Sequence, residues 1–162
     1  MYYWSLFFHV VFAMFWIGGM LFTAAVLVPV SRHQMFENKR GELFKVVGTL
    51  FSRFSWIIFL LLIVTGILNL LGKGFTWDVL LSGNFWKSVY GRTLMGKLHV
   101  FSLVLIVSAV HDFWLGPRAA LLMDSDPENP KTKRYRKASR WAGRINLILG
   151  LVILWYALML VR

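Results

Sequence analysis

Apolar positions in this chain fall into four long unbroken runs, approximately residues 4–30, 54–71, 94–115 and 141–161, separated by polar and basic connections. The hydrocarbon core of a bilayer is about 30 Å thick and takes roughly 20 helical residues to cross. Each run therefore predicts a transmembrane helix, the form in which a single segment satisfies its own backbone groups in lipid. Segments of alternating direction joined by short or moderate connections pack most simply as neighbours. The expected fold class is all-α, an antiparallel four-helix transmembrane bundle forming one domain over residues 1–162. The first run has no basic residue before it and no small-residue cleavage site, so it reads as a retained span and not as a secretory signal.

The connections carry their own pattern. Residues 32–52 mix charges with Met35, Phe36, Leu43, Phe44, Val47 and Leu50 at helical spacing, which predicts that the second helix begins outside the bilayer as an amphipathic segment. Residues 124–133, containing Asp-Pro-Glu-Asn-Pro, are expected to form a mobile loop. Between the second and third runs, Phe75, Trp77, Phe85, Trp86 and Tyr90 punctuate a Gly-containing segment suited to the headgroup region as an aromatic belt. Gly18, Gly19, Gly66 and Gly96 either let helices approach closely or leave space for a flat ligand, close packing being the commoner use.

Composition and charge narrow the function. With 58% hydrophobic and 17% aromatic residues, the chain is too apolar for a soluble domain of 162 residues. Cysteine is absent, which excludes disulfides, thiolate metal sites and thiol catalysis. A net charge of +11 would suggest nucleic acid in a soluble protein, but here the positives follow the connections. Arg32, Lys39, Arg40, Lys45 and Arg53 follow the first run. Arg118, Lys131, Lys133, Arg134, Arg136, Lys137, Arg140 and Arg144 follow the third. The second connection has chiefly Lys73, Lys87 and Arg92. The bias of Lys and Arg toward the cytoplasm puts the first and third connections inside and both termini outside, with the lipid bilayer as partner and no role for nucleic acid.

Several polar positions stand out against this background. Counting about 1.5 Å per residue from the outer helix ends puts His9 and His99 at matching depth, with Asn69 nearby. An ionisable group at such depth implies a partner, an ion or a function. Facing imidazoles on the first and third helices would bind a metal ion or clamp a haem iron from both sides; the simpler use is hydrogen bonding between helices. Lys97 either snorkels to the surface or reaches an anionic group such as a haem propionate, and with Lys87 and Arg92 it makes the outer mouth positive. His111 and Asp112, with Arg53, Arg144 and Asn146, gather at the inner end. Charge neutralisation between Asp112 and the arginines is the favoured reading there; a second metal or haem site, or a proton path, is the functional one. His33 reads as a solvated residue, and Met14, Met20 and Met95 as packing residues. No serine has an evident base and orienting group beside it in sequence.

The stretch from His9 through Trp16, Gly18 and Gly19, with Phe51-Ser52-Arg53-Phe54, Thr65-Gly66-Ile67-Leu68-Asn69 and Tyr90-Gly91-Arg92-Thr93-Leu94-Met95-Gly96-Lys97-Leu98, resembles the copper resistance protein D membrane domain. The resemblance covers nearly the whole chain in order. It implies a multi-pass protein of the bacterial inner membrane that handles copper, with His9 and His99 as metal ligands, and a periplasmic metal or electron carrier as partner. His9, Trp16, Gly18 and Lys97-Leu98 are also similar to the small four-span haem-associated protoporphyrinogen oxidase proteins. That likeness implies haem b for electron transfer or porphyrinogen oxidation; the candidate cofactor-binding residues are His9, His99, Lys97, Arg92 and Asn69. A third expectation is an accessory subunit in a homo-oligomer or larger membrane complex with no centre of its own.

Overall fold

The computed structural model describes residues 2–36, 39–126 and 128–161, and these are helical with no strand among them. Four long apolar helices dominate: α1 (Tyr2–Val30), α2 (Arg40–Gly72), α5 (Val89–Met123, helical on through Ser125) and α6 (Pro130–Met159). Two short helices, α3 (Trp77–Leu81) and α4 (Gly83–Lys87), sit between α2 and α5. The helices outrun the apolar runs that predict them. The 33 residues of α2 span about 50 Å, well beyond a hydrocarbon core, and the surplus lies at the basic end. The amphipathic lead-in expected over residues 32–52 is thus the first turns of α2 from Arg40 onward, after a 3₁₀ turn at Gln34–Phe36.

Each helix has chosen neighbours. α1 packs along α2, the Val89–Val110 part of α5 packs along α6, and the Gly116–Ser125 part of α5 crosses onto α2 at the basic end. α1 meets α6 more sparsely, and α1 and α5 stand on a diagonal of the bundle. The core is small and aromatic: Trp16, Ile58, Phe59, Leu62 and Val104. Phe59 is its hub, meeting Trp16, Trp56 and Phe101 edge to face at centroid distances of 5.2, 5.6 and 5.9 Å. Outside that core large apolar side chains are open, among them Met14, Leu60, Phe113 and Trp155, a surface suited to lipid.

Proline explains the two irregular turns. Pro29 and Pro117 lack an N–H and crowd the preceding turn, and each follows a π-turn, Thr23–Leu27 and His111–Leu115. In the second, the Gly116 N–H reaches back to the His111 carbonyl, widening the helix where His111 and Asp112 project. The loop expected to be mobile is largely structured. Helix persists through Ser125 and resumes at Pro130, where the Asn129 side chain accepts from the Lys131 N–H at 2.9 Å. Thr132 is fully buried and donates to the Asp126 carbonyl at 2.7 Å. Pro127, within that segment, lies outside the described residues.

Glycines serve close approach where it is most visible. A Cβ on Gly96 would enter the Tyr156 ring, and one on Gly19 would meet Phe51, so these two seat a neighbour's aromatic ring; Gly18 meets nothing within 4 Å.

Candidate functional site

At the aromatic end, His9 on α1 turns toward α2. Its Nδ1 lies 2.7 Å from Thr65 Oγ1, and that hydroxyl donates onward to the Leu61 carbonyl at 2.6 Å. A carbonyl only accepts, so the Thr65 proton is committed to Leu61 and the hydroxyl must accept from His9. The proton of the neutral ring is therefore on Nδ1, and Nε2 carries the free lone pair. Ser5 adds a second tie between the helices, donating to the Thr65 carbonyl at 3.2 Å. Gly66 makes room for the ring: its missing side chain would stand 3.6 Å from His9 Cε1. One turn further along α2, Asn69 Oδ1 is buried without a partner.

Lys97 lies beside this cluster, half-buried, near His9 and Lys73 and pairing with no carboxylate among the described residues. Lys73 closes the top, donating to the Leu160 carbonyl at 3.0 Å and lying 5.1 Å above the Tyr90 ring. The aromatic connection packs on itself there, Phe75 against Phe85 and Tyr90 at 5.1 Å each. Arg92 is exposed.

His99 has a different environment. Its Nδ1 donates to the Met95 carbonyl of its own helix at 2.8 Å, and the ring is exposed. It lines a shallow depression of about 330 Å³ with Trp86, Met95, Leu98 and Ser102, all from α4 and α5. The two rings take different faces: His9 looks into the bundle and His99 looks out of it. The direction of a face depends on which helices are neighbours, and α1 and α5 are diagonal.

The basic end holds a longer network. Asp112 Oδ1 accepts from His111 Nδ1 at 2.8 Å, and Asp112 Oδ2 accepts from Ser52 Oγ on α2 at 2.9 Å. His111 Nε2 accepts from Ser139 Oγ on α6 at 3.1 Å. The neutralisation expected from arginines is replaced by this arrangement: the Asp112 carboxylate is held by His111 and Ser52, and Arg53 is exposed. Arg118 and Arg144 stack instead on Trp114 and Trp141, at 5.2 and 5.5 Å. The order Ser139, His111, Asp112 is that of a nucleophile, base and orienter, which the linear spacing of these residues conceals. Ser139 sits within α6, where surrounding backbone N–H groups are engaged in the helix, so no pair of them is free to hold an oxyanion.

Thr65, Ser52, Ser108 and Ser139 are the functional partners that sequence reasoning missed. A hydroxyl in an apolar helix is unremarked alone, but Ser52 and Ser55, Ser108 and His111, and Ser139 and Asn146 recur at helical spacings on three helices. Among the described residues no three His, Asp or Glu side chains gather as a metal cage. Both His9 and His99 nevertheless have Nδ1 anchored and Nε2 free, the arrangement that orients metal-binding imidazoles. His111 has both nitrogens engaged.

Four apolar helices with polar stations at both ends make this a multi-pass membrane protein. Residues 45–160 match the family described as copper resistance protein D. An uncharacterized protein of Aquifex aeolicus (strain VF5) is 34% identical over 151 residues, covering 93% of this chain and 88% of that relative. The chain belongs to the copper resistance protein D family. No solved structure matches it.

Proposed function

We propose that this protein handles copper at the bacterial inner membrane, with its basic end in the cytoplasm and His9 as the protein's ligand in the outer half of the bundle. The observation that carries the reading is the pinned tautomer of His9: Thr65 fixes Nδ1 and leaves Nε2 free as a donor. Copper is cargo here. A single imidazole binds a cuprous ion loosely, which suits passing the ion on better than storing it, and the remaining donors come from the carrier that presents it. A clamp formed jointly with His99 would need that ring to leave the Met95 carbonyl and the exposed face. His99 is thus a second, separate imidazole donor in this reading.

Lys97 favours one further reading. A half-buried ammonium without a carboxylate is suited to a bound anionic group, and a haem b whose iron takes His9 Nε2 would bring propionates for it. Bound haem would supply redox chemistry; the chain's own part would be His9 as axial ligand and Lys97 as the anchor of a propionate.

The test is elemental analysis of the detergent-purified protein for copper and iron, as purified and after loading with cuprous ion, with visible spectra before and after dithionite. Copper that falls away in His9→Ala, without a Soret band, supports the copper reading. A Soret band lost in His9→Ala supports haem. Neither metal in the wild-type protein overturns both and leaves an accessory subunit of a larger complex.

A further inference from the structure

The network at the basic end continues deeper into the membrane. One turn inward from Ser52 on α2 is Ser55, one turn inward from His111 on α5 is Ser108, and two turns inward from Ser139 on α6 is Asn146. Ser55, Ser108 and Asn146 are all buried, with relative exposures of 4%, 4% and 8%. Asn146 Nδ2 donates to Ser108 Oγ at 2.8 Å, but Asn146 Oδ1 and Ser55 Oγ have no partner, and neither does Trp56 Nε1 beside them in sequence. Exchanging the two amide atoms of Asn146 leaves one of them unpartnered either way. Beyond this layer the polar groups stop: Phe59 follows Ser55 by one turn and Val104 precedes Ser108 by one turn, both essentially inaccessible members of the dry aromatic core.

Unpaired buried polar atoms one or two turns from a carboxylate and an imidazole call for a partner, because buried polar groups find protein or ordered water. We propose that the basic-end third of the bundle is a hydrated, closed-ended proton inlet. Its mouth is Ser139 and His111, its middle Asp112 and Ser52, and its floor Ser55, Ser108 and Asn146 beneath Phe59 and Val104. The transfer balances without any co-reactant. A proton delivered to His111 Nε2 through the Ser139 hydroxyl is matched by release of the Nδ1 proton to Asp112. Asp112 passes a proton through Ser52 to water at Ser55, and the same steps in reverse return a proton to the mouth and restore the starting tautomer of His111, so the net event is exchange of one proton between the water outside the mouth and the floor. The π-turn has a part in this: its wider backbone projects the adjacent residues His111 and Asp112 toward α6 and α2 respectively.

The charged groups around the inlet leave it open. On α2, Arg53 is exposed; on α5, Arg118 stacks on Trp114; on α6, Lys137 and Arg140 are exposed and Arg144 stacks on Trp141; α1 brings no titratable side chain to this depth. None of them forms an ion pair with Asp112 among the described residues.

The cysteine-free sequence permits a direct test. A single Ser55→Cys in the full chain, reconstituted in liposomes, gives one S–H stretching band whose shift on transfer to D₂O reports proton delivery to the floor of the inlet. Val104→Cys, one turn above, is the dry reference. The inlet predicts that the Ser55→Cys thiol exchanges at least about a hundredfold faster than Val104→Cys, and that adding Asp112→Asn or His111→Gln removes most of that advantage. A Ser55→Cys thiol as slow as Val104→Cys overturns the inlet. Fast exchange unchanged by both Asp112→Asn and His111→Gln overturns the relay. Ser139→Ala, the mildest change, checks the mouth in a protein whose helix packing is undisturbed, and full exchange speed in that variant overturns its assignment.

Discussion

Thr65→Val separates the role of the His9 anchor in metal binding from its role in holding α1 to α2. The substitution is nearly isosteric and removes the acceptor that lies 2.7 Å from His9 Nδ1. An interhelical hydrogen bond of this kind contributes about 0.6 kcal/mol on average and at most about 1.7 in a bilayer, because the unfolded helices find other partners there. Loss of an outer-shell hydrogen bond to a metal-binding imidazole costs about 10- to 100-fold in affinity, which is about 1.4–2.7 kcal/mol. The binding effect should therefore exceed the stability effect. The assay is competition for cuprous ion against a chromophoric chelator in detergent, run beside thermal denaturation. Thr65→Val is expected to weaken binding at least about tenfold with little change in melting, and Thr65→Ser, which keeps the hydroxyl, to restore most of it. Unchanged affinity in Thr65→Val, or equal loss in Thr65→Ser, would refute the argument that Thr65 orients His9.

Three other outcomes follow from the packing and the charge pattern. Phe59→Ala should destabilise the bundle by about 2–3 kcal/mol, measured by denaturation in mixed micelles; the side chain loses three edge-to-face contacts but no water-transfer term, since lipid is as apolar as the core. Gly96→Leu should cost about 1–3 kcal/mol by driving into Tyr156, whereas Gly18→Ala, with open space around it, should be neutral in the same assay. In whole cells, a membrane-impermeant thiol reagent should label Asn84→Cys at the aromatic end and spare Lys133→Cys at the basic end until the membrane is opened; the reverse pattern would invert the proposed orientation.

Much of this architecture is legible in the order of residues because lipid imposes one rule on long stretches: a run of Ile, Leu, Val and Phe must be helical and must span. The helix ends are less legible, since α2 and α6 continue through basic, water-compatible sequence that hydropathy alone would end early. Residues 124–133 show the same limit, Asn129 and Pro130 there marking a helix cap. At the candidate site, the residue types are legible and the direction of their faces is not. His9 and His99 sit on helices that stand on a diagonal, a placement that arises from packing among Trp16, Phe59 and Val104, which no single helix encodes. Asp112 illustrates a different gap: sequence offers it several arginines, whereas the π-turn set by Pro117 gives it its own neighbour His111.

X-ray absorption at the copper edge of protein loaded with one equivalent of cuprous ion addresses the functional claim most directly. The account predicts imidazole scattering with a nitrogen at about 2 Å, lost in His9→Ala and weakened in Thr65→Val. A spectrum without imidazole scattering, or one identical in the wild-type protein and His9→Ala, would contradict it.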